Sequence, residues 1–170
     1  ICKYLDIPLQ HIDGELLSTM RRYVNEREIR ELMAKLRKGI PNLSLRTTLI
    51  VGFPGETEAQ FNKLKEFVQE SEFDRLGVFT YSHEEETRAY RYKDDVPDDV
   101  KRERQHLIMQ LQADLAEERN LSLIGTTMQV LVDEVDEHQS IAYARSQWDA
   151  PEIDGNIFLT DPVTVGEFYT

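Results

Sequence analysis

The segment Val51-Gly52-Phe53-Pro54-Gly55-Glu56-Thr57 combines the residue types and spacing with the clearest chemical use in the chain. Glycine lets the backbone approach a ligand closely. A helix that opens just after such a turn offers unpaired N–H groups and the positive end of its dipole. A tight strand-to-helix turn with no ligand uses the same residues, and both readings stand at this point. The GxxxxGK[ST] spacing of a phosphate loop is absent and the turn carries no lysine, which speaks against a nucleoside triphosphatase. Gln10 and His11 fall at the end of one extended run, and Arg46 lies early in the next. Gln10 could reach a ligand there, and the planar fork of Arg46 could hold a carboxylate; a polar side chain on a surface loop, meeting only water, is the alternative for each.

His11, His83, His106 and His138 lack metal-ligand spacing, and Cys2, the single cysteine, cannot hold a cluster. The sequence therefore predicts no metal site within these residues and singles out no catalytic side chain. Ser82 to Arg88 (SHEEETR) reads as a solvated acidic run rather than an acid–base pair. Trp148-Asp149-Ala150-Pro151-Glu152-Ile153-Asp154-Gly155 joins the one tryptophan to Asp149, Glu152 and Asp154 in a turn-rich loop. Trp148 there is either a protein-recognition anchor or the filling of a small core.

The elements that must position these residues alternate strand and helix. Lys3 to Gln10 is a short extended run, and Asp13 caps a short helix to Arg22. Asn25 with Glu28 makes a capping box for a helix with the stripe Ile29, Leu32, Met33 and Leu36, which Gly39 and Pro41 end. Leu43 to Phe53 has the β-branched, apolar character of a buried parallel strand. Thr57 with Gln60 opens a helix whose inner face is Phe61, Leu64, Phe67 and Val68. Phe73 to Tyr81 is another strand, His83 to Asp95 a polar loop. Pro97 suits the first turn of a long helix to about Leu121, with the stripe Leu107, Leu111 and Leu115 flanked by Ile108 and Ala116. This β-α-α-β-α-β-α order predicts right-handed parallel crossovers, and three strands make half a barrel rather than a closed one. After Gly125, Met128 to Val135, Ser140 to Ala144, Asn156 to Thr160 and Val163 to Tyr169 are short alternating runs. They suggest a small β-barrel module that reaches Thr170 without an evident closing strand.

At 170 residues, with 40% hydrophobic and 31% charged side chains, the chain can bury a real core and is no disordered or low-complexity polymer. It contains no apolar stretch long enough for a membrane span, and one cysteine suits a reducing, cytoplasmic setting. It opens at Ile1 with no signal-peptide pattern and reads as part of a longer protein. Residues 1–122 hold 23 acidic and 19 basic side chains, net −4; residues 123–170 hold 9 acidic ones and only Arg145, net −8. So acidic a module cannot release many phosphate counterions, and it would attract a basic protein instead.

Cys2 to His11 (CKYLDIPLQH), Leu45 to Thr57 (LRTTLIVGFPGET), Phe73 to Ser82 (FDRLGVFTYS) and Trp148 to Gly155 (WDAPEIDG) carry a family resemblance. The chain resembles the latter part of radical S-adenosylmethionine methylthiotransferases of the RimO type. VGFPGET is shared with the tRNA-modifying MiaB type; LRTT, IPLQH and WDAPEIDG favour RimO. The resemblance implies an α/β fold: the C-terminal half of a partial TIM-type radical SAM barrel over residues 1–122, then a TRAM-like antiparallel β-barrel over 123–170. It implies methylthiolation of the β-carbon of an aspartate on a basic small-subunit ribosomal protein, with tRNA as partner only if the MiaB reading holds. A third possibility is a non-catalytic binding relative. Implied cofactors are S-adenosylmethionine and two 4Fe–4S clusters whose cysteines lie upstream, so that this piece alone is expected to be inactive. Carried over by position, Gln10, Arg46, Thr48, Gly52, Gly55, Glu56 and Phe79 would line the cofactor pocket. Arg46 would face the methionine carboxylate, and the backbone around Phe79 the adenine. Trp148, Asp149, Glu152 and Asp154 would dock the substrate. Glu86 stands where family members often have a glycine.

Overall fold

The computed structural model describes residues 2–136, 138 and 140–170. Its first part is a parallel sheet of β1 (Tyr4–Gln10), β2 (Ser44–Val51) and β3 (Arg75–Thr80), in that spatial order. The helices α1 (Gly14–Thr19), α2 (Glu26–Gly39) and α3 (Glu58–Ser71) join the strands, and α4 (Asp98–Ser122) follows β3. Sequential order with right-handed crossovers places the connecting helices on one face of the sheet, as in half of a (β/α) barrel.

The alternation along β2 shows that asymmetry directly. Leu45, Thr47, Leu49 and Val51 are buried, whereas Arg46, Thr48 and Ile50 between them are only partly covered. The covered face packs into one core with Phe61, Leu64, Phe67 and Val68 of α3 and Ile29 and Met33 of α2. The other face carries Tyr4, Asp6 and Gln10 of β1, Arg46, Thr48 and Ile50 of β2, and Arg75, Gly77 and Phe79 of β3. Phe79 is 61% exposed there.

Local signals set the helix starts. Asp13 accepts from the backbone N–H groups of Glu15 and Leu16, and both capping boxes, Asn25 with Glu28 and Thr57 with Gln60, are closed. Both α1 and β2 are shorter than their sequence patterns suggest, and Pro97 takes the N-cap of α4 rather than its first turn. The polar loop contains a 3-10 turn, Arg88–Arg91.

Two apolar stripes need correction. On α2, Leu32 is 41% exposed while Ile29 and Met33 are buried. On α4, the buried side is Lys101, Arg104, Ile108 and Gln112; Leu111 and Leu115 pack against the core as expected, but Leu107 faces outward. The cause is polar docking. Gln105 donates to the Val78 carbonyl at 2.7 Å and Gln112 to the Phe73 carbonyl at 2.8 Å, so the helix lies with its amides against the sheet. Those bonds satisfy backbone groups that burial would otherwise leave costly.

The second part is a four-stranded antiparallel sheet in the order β6-β5-β4-β7. Its strands are β4 (Val130–Asp136), β5 (Ile141–Ser146), β6 (Ile157–Leu159) and β7 (Phe168–Tyr169). A bulge between Val132 and Glu134 shifts the β4–β5 register, and such bulges bend and twist a strand. Its small core is Val130, Val132, Ala142 and Ala144, with Met128, Ile157 and Tyr169 against it.

Candidate functional site

Ligands in parallel α/β folds sit beyond the C-terminal ends of the strands, where Gln10, the Gly52 turn and Thr80 to Tyr81 converge. Gln10 has φ 71°, at an irregular step of the β1–β2 pairing. Gly52 has φ 73°, and a Cβ there would overlap Cγ of Lys101 on α4. Only glycine fits both demands.

Glu56 holds this turn from within. Its Oε2 accepts from the Gly52 N–H and from Arg104 Nη1 at 2.8 Å, and its Oε1 lies 3.1 Å from His11 Nε2. Arg104 also donates to the Glu56 carbonyl at 3.1 Å. His11 Nδ1 accepts from the Asp13 N–H at 2.9 Å, which leaves the ring proton on Nε2, aimed at Glu56. The His11 and Glu56 side chains are fully buried. The Glu56 carboxylate therefore faces the protein interior, where it braces the turn. Gly55 is open to solvent, its N–H donating to Asp95 at 2.8 Å.

Outside this brace lies a cavity of about 790 Å³, bounded by Gln10, Ile50, Phe53, Phe79, Tyr81 and Tyr92 and by Arg21, Arg22, Arg88 and Arg91. Phe53 meets Tyr81 edge-on at 5.2 Å and Tyr92 at 6.2 Å. Burial, followed by the charge of Asp94, pushes the Tyr81 phenol up, which keeps it a neutral donor at neutral pH. Of the residues singled out in the sequence, Gln10 and Phe79 line this cavity, as does Phe53 of the Val51–Thr57 turn, whereas Gly52 does not; its arginines and Tyr92 were not singled out. Their signal was the alternation of Arg88, Tyr90, Arg91 and Tyr92, masked by the preceding acidic run.

Arg46 and Thr48 are elsewhere. Thr48 lies mid-strand on the open face. Arg46 is six residues before Gly52, roughly 20 Å along the strand. Its Nη1 donates to Asp6 at 2.5 Å, and its Nε lies 4.0 Å from Asp154. The structure thus does not bring Arg46 to the mouth.

The loop from Trp148 to Gly155 docks on the strand starts, at the opposite end of the sheet. Trp148 Nε1 donates to the Asn42 carbonyl at 2.9 Å, and Ser44 Oγ to the Trp148 carbonyl at 3.1 Å. Arg75 Nη2 donates to Asp149 at 2.5 Å, and Arg75 Nε lies 3.7 Å from Asp154. Burial and the neighbouring Asp154 keep the Tyr4 phenol protonated well beyond its ordinary range. With side chains 6% and 3% exposed, Asp149 and Asp154 are internal clasps, which corrects the expectation that they meet a substrate. Only Glu152 of the three acids is exposed.

Residues 124–170 match the family model of the TRAM domain. The ribosomal protein uS12 methylthiotransferase RimO of Pelobacter propionicus is 55% identical over 161 residues, 94% of this chain and 36% of that protein. Its namesake in Prosthecochloris aestuarii is 48% identical over 174 residues, 100% of this chain and 40% of that protein. By sequence, the chain is similar to the RimO-type methylthiotransferases over nearly its whole length. The RimO-like chain spans about two fifths of these relatives, 36% and 40% of their lengths. Among solved structures, coproporphyrinogen III oxidase (HemN) from Escherichia coli, a radical SAM enzyme, aligns at a TM-score of 0.48 and 26% identity. That alignment covers 71% of this chain and 26% of the other.

Proposed function

We propose that this chain is the mouth-forming and TRAM-bearing portion of an enzyme that places a methylthio group on the β-carbon of an aspartate in ribosomal protein uS12. The carrying observation is the 55% identity along 94% of the chain to a protein of that name. Residues 1–122 would be barrel and 123–170 the docking module. Two physical features support the reading. A parallel sheet normally has both faces covered, and here one face bears polar and aromatic side chains around an open mouth. The module after residue 122 has net charge −8, which suits a basic protein better than a nucleic acid.

S-adenosylmethionine fits the mouth. Phe79 presents an exposed ring, and Gln10 offers a donor and an acceptor beside it. Iron–sulfur clusters do not fit these residues: no group of three His, Cys, Asp or Glu side chains gathers among the described residues, and Cys2 is the single cysteine. Their thiolates would belong to another part of the enzyme. When bound, S-adenosylmethionine would supply the radical and methyl chemistry. The residues here would hold the target carbon in the mouth and shelter it behind Phe53, Tyr81 and Tyr92. No helix among the described residues is long and apolar enough to cross a membrane.

The test uses the full-length parent with clusters reconstituted anaerobically, S-adenosylmethionine, a reductant, small ribosomal subunits and unmodified tRNA in one reaction. A gain of one methylthio group on uS12, read by intact-protein mass, is the expected result. A methylthiolated nucleoside with unmodified uS12 would transfer the assignment to the tRNA enzymes.

A further inference from the structure

Most arginines of this chain face carboxylates: Arg27, Arg30, Arg46, Arg75, Arg104, Arg119 and Arg145 all have ion pairs. Arg21, Arg22, Arg88 and Arg91 have no ion pair among the described residues, and all four line the one cavity at the mouth. No carboxylate lines that cavity with them. The backbone presents them in two pairs. Arg21, at φ 60°, turns the chain out of α1, and Arg22 is tethered by its Nη2 to the Pro8 carbonyl at 3.0 Å. Arg88 and Arg91 are the ends of the 3-10 turn, a spacing that puts them on one side.

Acidic residues stand just outside. Asp94 is held by Lys101 and Asp95 by the Gly55 N–H, and Glu84, Glu85 and Glu86 are exposed on the adjoining loop. The mouth is thus positive within and negative around its edge, in a chain of net charge −12. A polyanionic strand would gain the centre and be repelled by the edge. A lone carboxylate inside a basic segment is complementary to both. Guanidinium forks bind carboxylates in a fixed plane, which would also orient the adjacent methylene.

Resting on the proposed function, we infer that Arg21, Arg22, Arg88 and Arg91 receive the side-chain carboxylate of the aspartate to be modified, while the acidic edge receives its basic flanks. The arginines then select aspartate over its uncharged isostere and aim its β-carbon into the mouth.

The experiment measures binding of a fluorescent lysine-flanked peptide with one aspartate, and of its Asp→Asn counterpart, to the full-length parent at low ionic strength. The same peptides are offered to the R88Q/R91Q variant, whose exposed turn can change without opening the core; circular dichroism confirms that it is folded. A charge-assisted hydrogen bond corresponds to about tenfold or more in affinity. The aspartate peptide is expected to bind at least ~10-fold tighter to the parent chain and within about twofold in the variant. Equal binding of both peptides, no binding of the aspartate peptide, or discrimination kept by the variant would each overturn the inference. So would loss of S-adenosylhomocysteine binding in the variant, which reassigns the arginines to the cofactor. Displacement of the peptide by single-stranded RNA with a steep salt dependence would overturn it in favour of phosphate recognition. The proposed function fails separately: discrimination without uS12 modification by the full-length parent removes the function and keeps the site. Modification that survives R88Q/R91Q removes the site and keeps the function.

Discussion

Glu56 is the side chain on which the Gly52 turn depends, because Arg104, His11 and the Gly52 N–H all converge on one buried carboxylate. The substitution Glu56→Gln keeps the shape but leaves buried Arg104 with only the exposed Glu58, 3.3 Å away, as counter-charge. Breaking such a pair from one side costs about 3–5 kcal/mol, and urea unfolding of the variant should show a loss of that order. A loss below about 1 kcal/mol would mean that the turn is held by backbone conformation alone, as an exposed substitution would suggest. The residue was noticeable in the sequence, next to two glycines after a strand. Its direction was not, since Arg104 and His11 lie 48 and 45 positions away and no local pattern links them. Gly52 was legible for the opposite reason: a positive φ at a strand-to-helix turn is a local demand that glycine meets.

The same distinction between local and distant causes runs through the elements. Caps were readable because acceptor and N–H are two or three residues apart, and Asp13 illustrates their energetic weight. Burial would raise its carboxyl, but bonds from the Leu16 N–H, Gln60, Lys63 and the Glu15 N–H outweigh burial and hold it below its ordinary value of 3.8. A lowered folded-state value means stabilisation that is whole above about pH 4 and lost as the pH falls further. Asp13→Ala should therefore cost about 1–2 kcal/mol at pH 7, and the deficit should shrink in denaturation curves taken toward pH 2. A deficit independent of pH would assign the effect to helix propensity instead. The orientation of α4 was readable in part: Leu111 and Leu115 do pack toward the core, but Ile108 takes the buried place given to Leu107, about 100° round the helix. The docking side is chosen by Gln105 and Gln112 reaching strand carbonyls, which hydrophobic periodicity does not register.

Across the whole molecule, the parallel sheet works at both ends: an open mouth at its strand termini, and a clasp to the antiparallel module at its strand starts. The half-barrel and the β-rich module were visible in the order of elements. Their junction was not, because the acids of the Trp148 loop looked solvated until Arg46 and Arg75 were placed beneath them. The loop should accordingly respond in two ways. Asp149→Ala strips Arg75 and Ser146 of an acceptor, and should lower stability by about 2 kcal/mol and open the segment 123–129 to limited proteolysis. Glu152→Lys, on the exposed tip, should change stability by no more than about 0.5 kcal/mol. Equal protease resistance in both variants would mean that the modules are held together elsewhere. The clasp also leaves a mark on descent. Arg75 and Asp149 are separated by 74 positions, yet loss of Arg75 would strand the buried Asp149 carboxylate, and loss of Asp149 would leave Arg75 only its longer pair with Asp154. Lineages that change one should carry a matched change in the other, a correlated substitution spanning the seam between two modules that otherwise vary on their own.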